Sequence, residues 1–122
     1  MTLTNAHDRL SVTIVLYVFI LALWGLWRYY RKQGLDGSFW GALAIGEILI
    51  LVQGVLGIVL WTSALRPERG YMHILYGVVT ALSIPATYAF TRGRDTRREM
   101  LIYGLVLIAL VGLAGRAIIT GR

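Results

Sequence analysis

The sequence contains no cysteine and only two histidines among its 122 residues. Without cysteine, the chain forms no disulfide, no thiolate metal site, no haem attached through a thioether and no thiol nucleophile. Acidic side chains are also few, six against twelve basic ones. Any chemistry must therefore come from histidine, from a small number of carboxylates or from a bound cofactor.

Several motifs of well-known enzyme and binding classes are missing as well. The sequence has no glycine-rich phosphate loop, no nucleophile next to a base, no metalloprotease histidine pair and no nucleic-acid-binding module. The net charge of +6 would suggest nucleic acid in a soluble protein, but in a membrane protein basic residues gather in loops, where they set topology and contact lipid. We therefore expect lipid, and no nucleic acid, as a partner.

Apolar residues are abundant and fall in long uninterrupted blocks. They make up 57% of the chain, and each block is long enough to cross the hydrocarbon core, which takes about 20 residues of helix. This pattern predicts an all-α fold, a four-helix transmembrane bundle in a single domain over residues 1–122, in a multi-pass protein of the cell membrane. The predicted spans are 10–27, 39–63, 71–90 and 100–119.

Basic residues orient this predicted bundle. The loops after the first and third spans carry seven of the twelve basic residues, and loops rich in lysine and arginine stay on the cytoplasmic side. Both termini are therefore predicted on the outer side. The first and third spans then run parallel from that side, which allows them to lie diagonally opposite each other.

The two histidines open these two parallel spans. His7 lies just before the first apolar block and His73 within the first turn of the third, so at a rise of about 1.5 Å per residue they have similar depths. Two such imidazoles reaching into a bundle core can hold a haem as axial ligands of its iron. Haem propionates would need cationic partners, and the arginines predicted at the same face are Arg9, Arg66, Arg69 and Arg116.

Three segments resemble successive helices of a heme A synthase half-module. They are residues 7–10 (HDRL), 51–57 (LVQGVLG) and 72–77 (MHILYG), and their order and spacing match over about residues 4–90. Residues 112–121 (GLAGRAIITG) are weakly similar to the helix that opens each half of that family. The resemblance implies that each four-helix half offers a pair of histidines near the outer face to a haem, by position His7 and His73.

This chain departs from the family in three ways. The family has a glutamate three residues before the first histidine and an arginine directly after it, where this chain has Thr4 and Asp8. The family enzyme also has two halves, and this chain supplies one. Because the glutamate is tied to oxidation of a haem methyl group, the resemblance supports haem binding more than haem synthesis.

Other polar and small residues inside the spans suggest a pocket. Gly54 and Gly57 remove side-chain bulk beside Gln53, so that a helix or a haem edge can approach closely. Tyr76 is expected to line the bundle interior with Tyr17. The aromatic residues expected instead at the membrane interfaces are Trp24, Trp27, Trp40, Trp61, Tyr88 and Tyr103.

A single carboxylate, Glu47, lies deep in the second span. An ionised carboxylate is unfavourable in hydrocarbon, so this group is expected to be neutral, paired or beside a wet cavity. A role with a proton or a quinone is one interpretation. A hydrogen bond to a neighbouring helix or to a partner subunit is the simpler one.

The sequence thus favours a membrane b-type cytochrome that binds haem b between His7 and His73 and transfers electrons, as a small subunit of a respiratory or photosynthetic complex or as a homodimer. With both axial positions filled, the iron has no open site, so the chain is more plausibly an electron carrier than an enzyme by itself. One alternative is a haem-free accessory membrane subunit. The other is a haem-modifying enzyme related to heme A synthase.

Overall fold

The structure, a computed structural model, describes residues 3–62 and 70–120, and nearly all of them lie in four α-helices. These are α1 (Leu3–Tyr30), α2 (Gly37–Thr62), α3 (Gly70–Thr91) and α4 (Arg97–Thr120). By length and composition, all four can cross a membrane. The prediction of an all-α, four-helix transmembrane bundle is therefore confirmed, and α1 begins seven residues earlier than the predicted span.

The helices form a ring in the order α1, α2, α3, α4, and the ring is closed by contact between α4 and α1. α1 packs against α2 and α4, and α3 packs against the same two helices. Within residues 3–62 and 70–120, α1 and α3 make no close backbone approach, and neither do α2 and α4. The first and third helices thus lie diagonally, as the sequence led us to expect.

The tightest interface joins the first helix to the last. Val18 and Leu21 of α1 are buried together with Leu107 of α4. Gly104 permits this approach, because a Cβ at that position would lie 2.8 Å from a methyl carbon of Leu26. The small residue brings the two backbones together, as is usual in membrane helix pairs.

One aromatic residue that was expected at a membrane interface, Tyr103, lies inside the bundle instead. The side chain of Tyr103 is fully buried, and the ring of Trp40 packs edge-on against it with 5.6 Å between centroids. Trp40 also contacts Tyr88 edge-on, at 5.7 Å. The interface prediction was wrong for Tyr103 because hydropathy gives its depth but not the direction in which it faces.

The outward face of α2 is apolar along most of its length. Its core face carries Phe39, Leu43 and Ile50, all buried, whereas the opposite face is formed by exposed aliphatic side chains, namely Ile45, Ile48, Leu51, Val52, Val55 and Ile58. A continuous patch of this kind is uncommon on soluble monomers. It is the surface expected of a helix in contact with lipid tails or with another membrane helix.

Helices α1 and α3 end in the same way, with a basic residue in the left-handed conformation. Lys32 has φ 60° and Arg92 has φ 54°. In α1, the amide of Lys32 donates to the Tyr29 carbonyl at 3.0 Å and the amide of Gln33 donates to the Arg28 carbonyl at 2.8 Å. This is the hydrogen-bond pattern of a Schellman cap, whose left-handed position is usually glycine.

The corresponding bonds at the end of α3 run from Arg92 to the Ala89 carbonyl, at 3.3 Å, and from Gly93 to the Tyr88 carbonyl, at 3.2 Å. A residue with a Cβ in this conformation costs about 1–2 kcal/mol relative to right-handed backbone. Both helices therefore hold a cation at a position where glycine would be more stable.

The helices that follow begin with side-chain caps. Asp36 accepts a hydrogen bond from the Phe39 amide at 2.9 Å and caps α2. Before α4, the Thr96 hydroxyl bonds to the carboxylate of Glu99, which also accepts a bond from Arg94 Nε at 2.9 Å. These caps fix the two turns at one end of the bundle.

Candidate functional site

His7 lies near the start of α1 on the face that looks into the bundle. It precedes the buried Ile14 and Leu21 by seven and fourteen residues, so the three share one helix face. The imidazole is half-buried and its Nδ1 is shielded from solvent. Its Cε1 faces Gly57 of α2, 3.5 Å from where a Cβ would be. Gly57 and the imidazole thus meet at the α1–α2 interface, where a Cβ would be in ordinary van der Waals contact with the ring.

A glutamine from α2 ties down the backbone around this histidine. Gln53 Nε2 donates to the His7 carbonyl at 2.9 Å and also to the Ser11 hydroxyl. Ser11 in turn donates to the same His7 carbonyl at 2.9 Å. Gln53 Oε1 is buried and has no hydrogen-bond partner among the described residues. The first turns of α1 are thus fixed to α2 by a small polar cluster.

Of the predicted pocket residues, the structure brings Gln53 and Gly57 to His7. Gly54 is exposed, and a Cβ there would meet nothing within 4 Å. Tyr76 is half-buried on α3, where its carbonyl accepts a bond from the Thr80 hydroxyl at 2.7 Å. Gly57 therefore lies beside the histidine, and Gly54 lies outside the contact.

Sequence reasoning did not single out Ser11 as a site residue. The signal was present, because a serine four residues after a histidine lies on the same face of a helix. What the sequence did not give was the antiparallel register that brings Gln53 opposite this pair.

The second predicted ligand is His73. The His73 side chain and the residues Arg66 and Arg69 lie outside the described residues. Position 73 itself belongs to α3 and precedes the buried Thr80 and Thr87 by seven and fourteen residues. This register is the same as that of His7 on α1. The pairing of the two histidines stays a prediction.

The two remaining candidate arginines lie at the His7 end of the bundle. Arg9 is two residues from His7, and Arg116 lies near the end of α4, which runs antiparallel to α1. Both side chains are exposed, and the ion pairs among the described residues involve neither of them. Each is therefore available to an anionic group at this end.

The polar groups near the middle of the second helix form a separate region. The Tyr17 hydroxyl donates to the Ala42 carbonyl at 2.6 Å, and its ring lies 3.2 Å from a Cβ placed on Gly46. Glu47 is half-buried, and its Oε1 is buried with no hydrogen-bond partner within the part of the chain that is described. Tyr17 thus faces the α1–α2 interface, as predicted for a residue of the bundle interior.

A metal site built from several side chains is not present in the described part of the chain, where no three His, Cys, Asp or Glu residues come together. A haem needs only axial ligands from the protein, because the porphyrin supplies the other four. The imidazole of His7 is a donor of the type that ligates haem iron.

Comparison with known proteins gives no relative to guide the assignment. No protein-family model matches the chain, and no curated protein or solved structure matches it. The geometry around His7 and the architecture of the bundle are therefore the basis on which a function is proposed.

Proposed function

We propose that this chain is a membrane b-type cytochrome in which His7 and His73 are the axial ligands of a haem b. The observation that carries the proposal is the setting of His7. Its imidazole lies on the core-facing side of α1 at the edge of the apolar region, and a polar residue of α2 fixes its backbone. A histidine at such a position is unfavourable in a membrane unless it has a function.

The architecture supports the second ligand. α1 and α3 are diagonal and begin at the same end of the bundle, and both histidines occupy the register of the buried residues that follow them. Side chains from diagonal helices converge on the bundle axis, where cofactors of four-helix proteins are held. The positive ends of both helix dipoles favour the neutral imidazole that ligates iron.

In this function, the protein would hold and orient the haem. His7 and His73 would ligate the iron, and Gln53 would keep the His7 backbone in place. Arg9 and Arg116, together with Arg66 and Arg69, would pair with the propionates. The haem would supply one-electron redox chemistry, with its potential set by the two imidazoles and by burial.

Difference spectra of the reduced and oxidised protein test the proposal. Protein produced with ample haem and purified in mild detergent should show sharp b-type bands, and these should be lost in His7→Ala and in His73→Ala. Val12→Ala is the matched control, because Val12 lies one turn further along α1 with an exposed side chain. It should retain the bands.

Two results would contradict the proposal. A normal bis-imidazole spectrum in His73→Ala would refute the ligand assignment. A well-folded wild-type protein without haem would favour a haem-free accessory subunit. The observation that favours this second function is the apolar outward face of α2, since a partner helix would cover its exposed aliphatic side chains. A larger membrane complex, a second copy of the chain and a quinone are the partners proposed for either function.

A further inference from the structure

The end of the bundle remote from His7 carries a concentrated positive charge. We call segments 28–36 and 92–99 the basic end. They contain seven cations and three carboxylates, which leaves a net charge of +4. The segments are in contact, because the Leu35 amide donates to the Asp95 carbonyl at 2.9 Å and Arg97 Nε donates to the Tyr29 carbonyl at 2.9 Å. The charge therefore belongs to one surface.

Two of the seven cations form ion pairs within this surface. Arg28 donates to the Gly34 carbonyl from Nε and Nη2, at 3.0 and 2.6 Å, and lies 3.4 Å from the Asp36 carboxylate. Arg94 pairs with the buried Glu99 at 2.9 Å. These pairs neutralise two of the three carboxylates inside the turns.

The other five, which we call the outward cations, lie on the surface, and among them Arg97 also donates from Nε to the Tyr29 carbonyl. They are all exposed, and the ion pairs found among the described residues include none of them. These residues are Arg31, Lys32, Arg92, Arg97 and Arg98. Together with Asp95 they account for the whole net charge of the basic end, so the surface presents cations rather than ion pairs.

The backbone shows that two of these cations are kept at the expense of local stability. Lys32 and Arg92 occupy the left-handed positions of the two Schellman caps, where glycine avoids the clash of a Cβ. Two residues that both have an unfavourable backbone conformation, at equivalent positions of two helices, suggest a role for their side chains. The feature common to the two side chains is their positive charge.

Aromatic side chains at the same level indicate what lies against this surface. Trp27 and Tyr30 are exposed and stacked, with centroids 5.9 Å apart, and the Arg31 guanidinium lies 5.7 Å from the Trp27 ring centre. Exposed aromatic residues beside arginines, directly after an apolar span, are typical of the lipid headgroup region. An acidic soluble protein would not require this arrangement of rings.

We propose that the basic end is a binding surface for anionic phospholipid headgroups, with Lys32 and Arg92 as its central cations. The phosphate of the lipid is contacted by the outward cations, and its acyl chains lie along the apolar helix faces. This surface is separate from the histidine site, and the proposal does not depend on whether a haem is bound.

Thermal unfolding of the full chain in neutral detergent, titrated with phosphatidylglycerol or phosphatidylcholine, tests the proposal. The variants Lys32→Gly and Arg92→Gly should unfold at a higher temperature than wild type without added lipid, because glycine relieves the left-handed positions. Each should bind phosphatidylglycerol about fivefold more weakly, the loss expected for one interfacial cation. Affinity is read from the rise of the midpoint with lipid concentration.

Gln33→Gly is the matched control, because it places a glycine next to Lys32 in the same exposed turn without removing a cation, and it should leave phosphatidylglycerol binding unchanged. A higher unfolding temperature together with a lower affinity for phosphatidylglycerol in the glycine variants would support the proposal. A purely structural role of the two cations would change the unfolding temperature and the affinity in the same direction. Unchanged affinity for phosphatidylglycerol in a variant that combines Lys32→Gly with Arg92→Gly, or equal stabilisation of wild type by phosphatidylcholine, would overturn it. Equal stabilisation by inorganic phosphate or by an acidic peptide would also overturn it and assign the surface to a soluble anion.

Discussion

Replacing Gly34 by alanine should separate the two turns of the basic end. A Cβ at Gly34 would overlap the carbonyl oxygen of Asp95 and lie 3.1 Å from its carbonyl carbon. Both are backbone atoms and cannot rotate away, so the turns must move apart. The hydrogen bond from the Leu35 amide to the same oxygen, 2.9 Å long, would then lengthen or break.

The size of the effect follows from these two contributions. Overpacking of a tight site costs about 1–3 kcal/mol, and a lost hydrogen bond about 1 kcal/mol. The free energy of unfolding should therefore fall by about 2–4 kcal/mol. Gly37→Ala is the matched control, because a Cβ at the exposed start of α2 would meet nothing within 4 Å. Its effect should lie near zero or be slightly stabilising.

Unfolding in mixed micelles with increasing denaturing detergent gives both free energies on one scale. Equal stability of the Gly34 and Gly37 variants would refute the reasoning, because it would show that the two turns do not touch as described. A large loss for both would instead indicate a general sensitivity of this segment to alanine.

Three further substitutions test the packing between the helices. Gln53→Ala should lower the free energy of unfolding by about 1 kcal/mol, since interhelical hydrogen bonds in membranes average about 0.6 kcal/mol each. In a double-mutant cycle with Ser11→Ala it should show a non-zero coupling energy, and strict additivity would argue against the shared hydrogen bond. Tyr17→Phe should cost about 1 kcal/mol, whereas Tyr30→Phe, at an exposed position, should leave the denaturation midpoint unchanged; similar losses in the two would be inconsistent with a specific bond. Gly104→Ala should lower the thermal midpoint through an overpacking cost of about 1 kcal/mol, and an unchanged midpoint would mean that the α1–α4 interface has room to spare.

The architecture was predictable because it depends on features that a sequence displays directly. Four apolar blocks joined by short loops predict four antiparallel helices, and this arrangement allows α1 and α3 to lie diagonally, as they do. The contact of His7 with α2 needed one more quantity, the register of two antiparallel helices, which is set by packing along their whole length. The sequence was sufficient to name Gln53 and Gly57 as pocket residues. It did not predict the hydrogen bond from Gln53 to Ser11, because that bond depends on the register.

The basic end was predictable in charge but not in conformation. Sequence rules assign left-handed cap positions to glycine or asparagine, and Lys32 and Arg92 break these rules. The direction in which an aromatic residue faces was equally hidden. Tyr103 has the depth of an interfacial tyrosine, yet its ring is surrounded by helices. Side chains of this kind are placed by neighbours that are distant in the sequence.

The close interface between α1 and α4 bears on how the protein is made. Helix α1 is synthesised before α4, with which it shares its tightest interface, so the buried residues Val18 and Leu21 reach their full burial only after residue 97 and those beyond it have been inserted. Until then, α1 meets only α2, or lipid, or another membrane protein. The docking of α4 therefore closes the ring of four helices, and a chain interrupted before α4 would leave part of the inner face of α1 exposed to the bilayer.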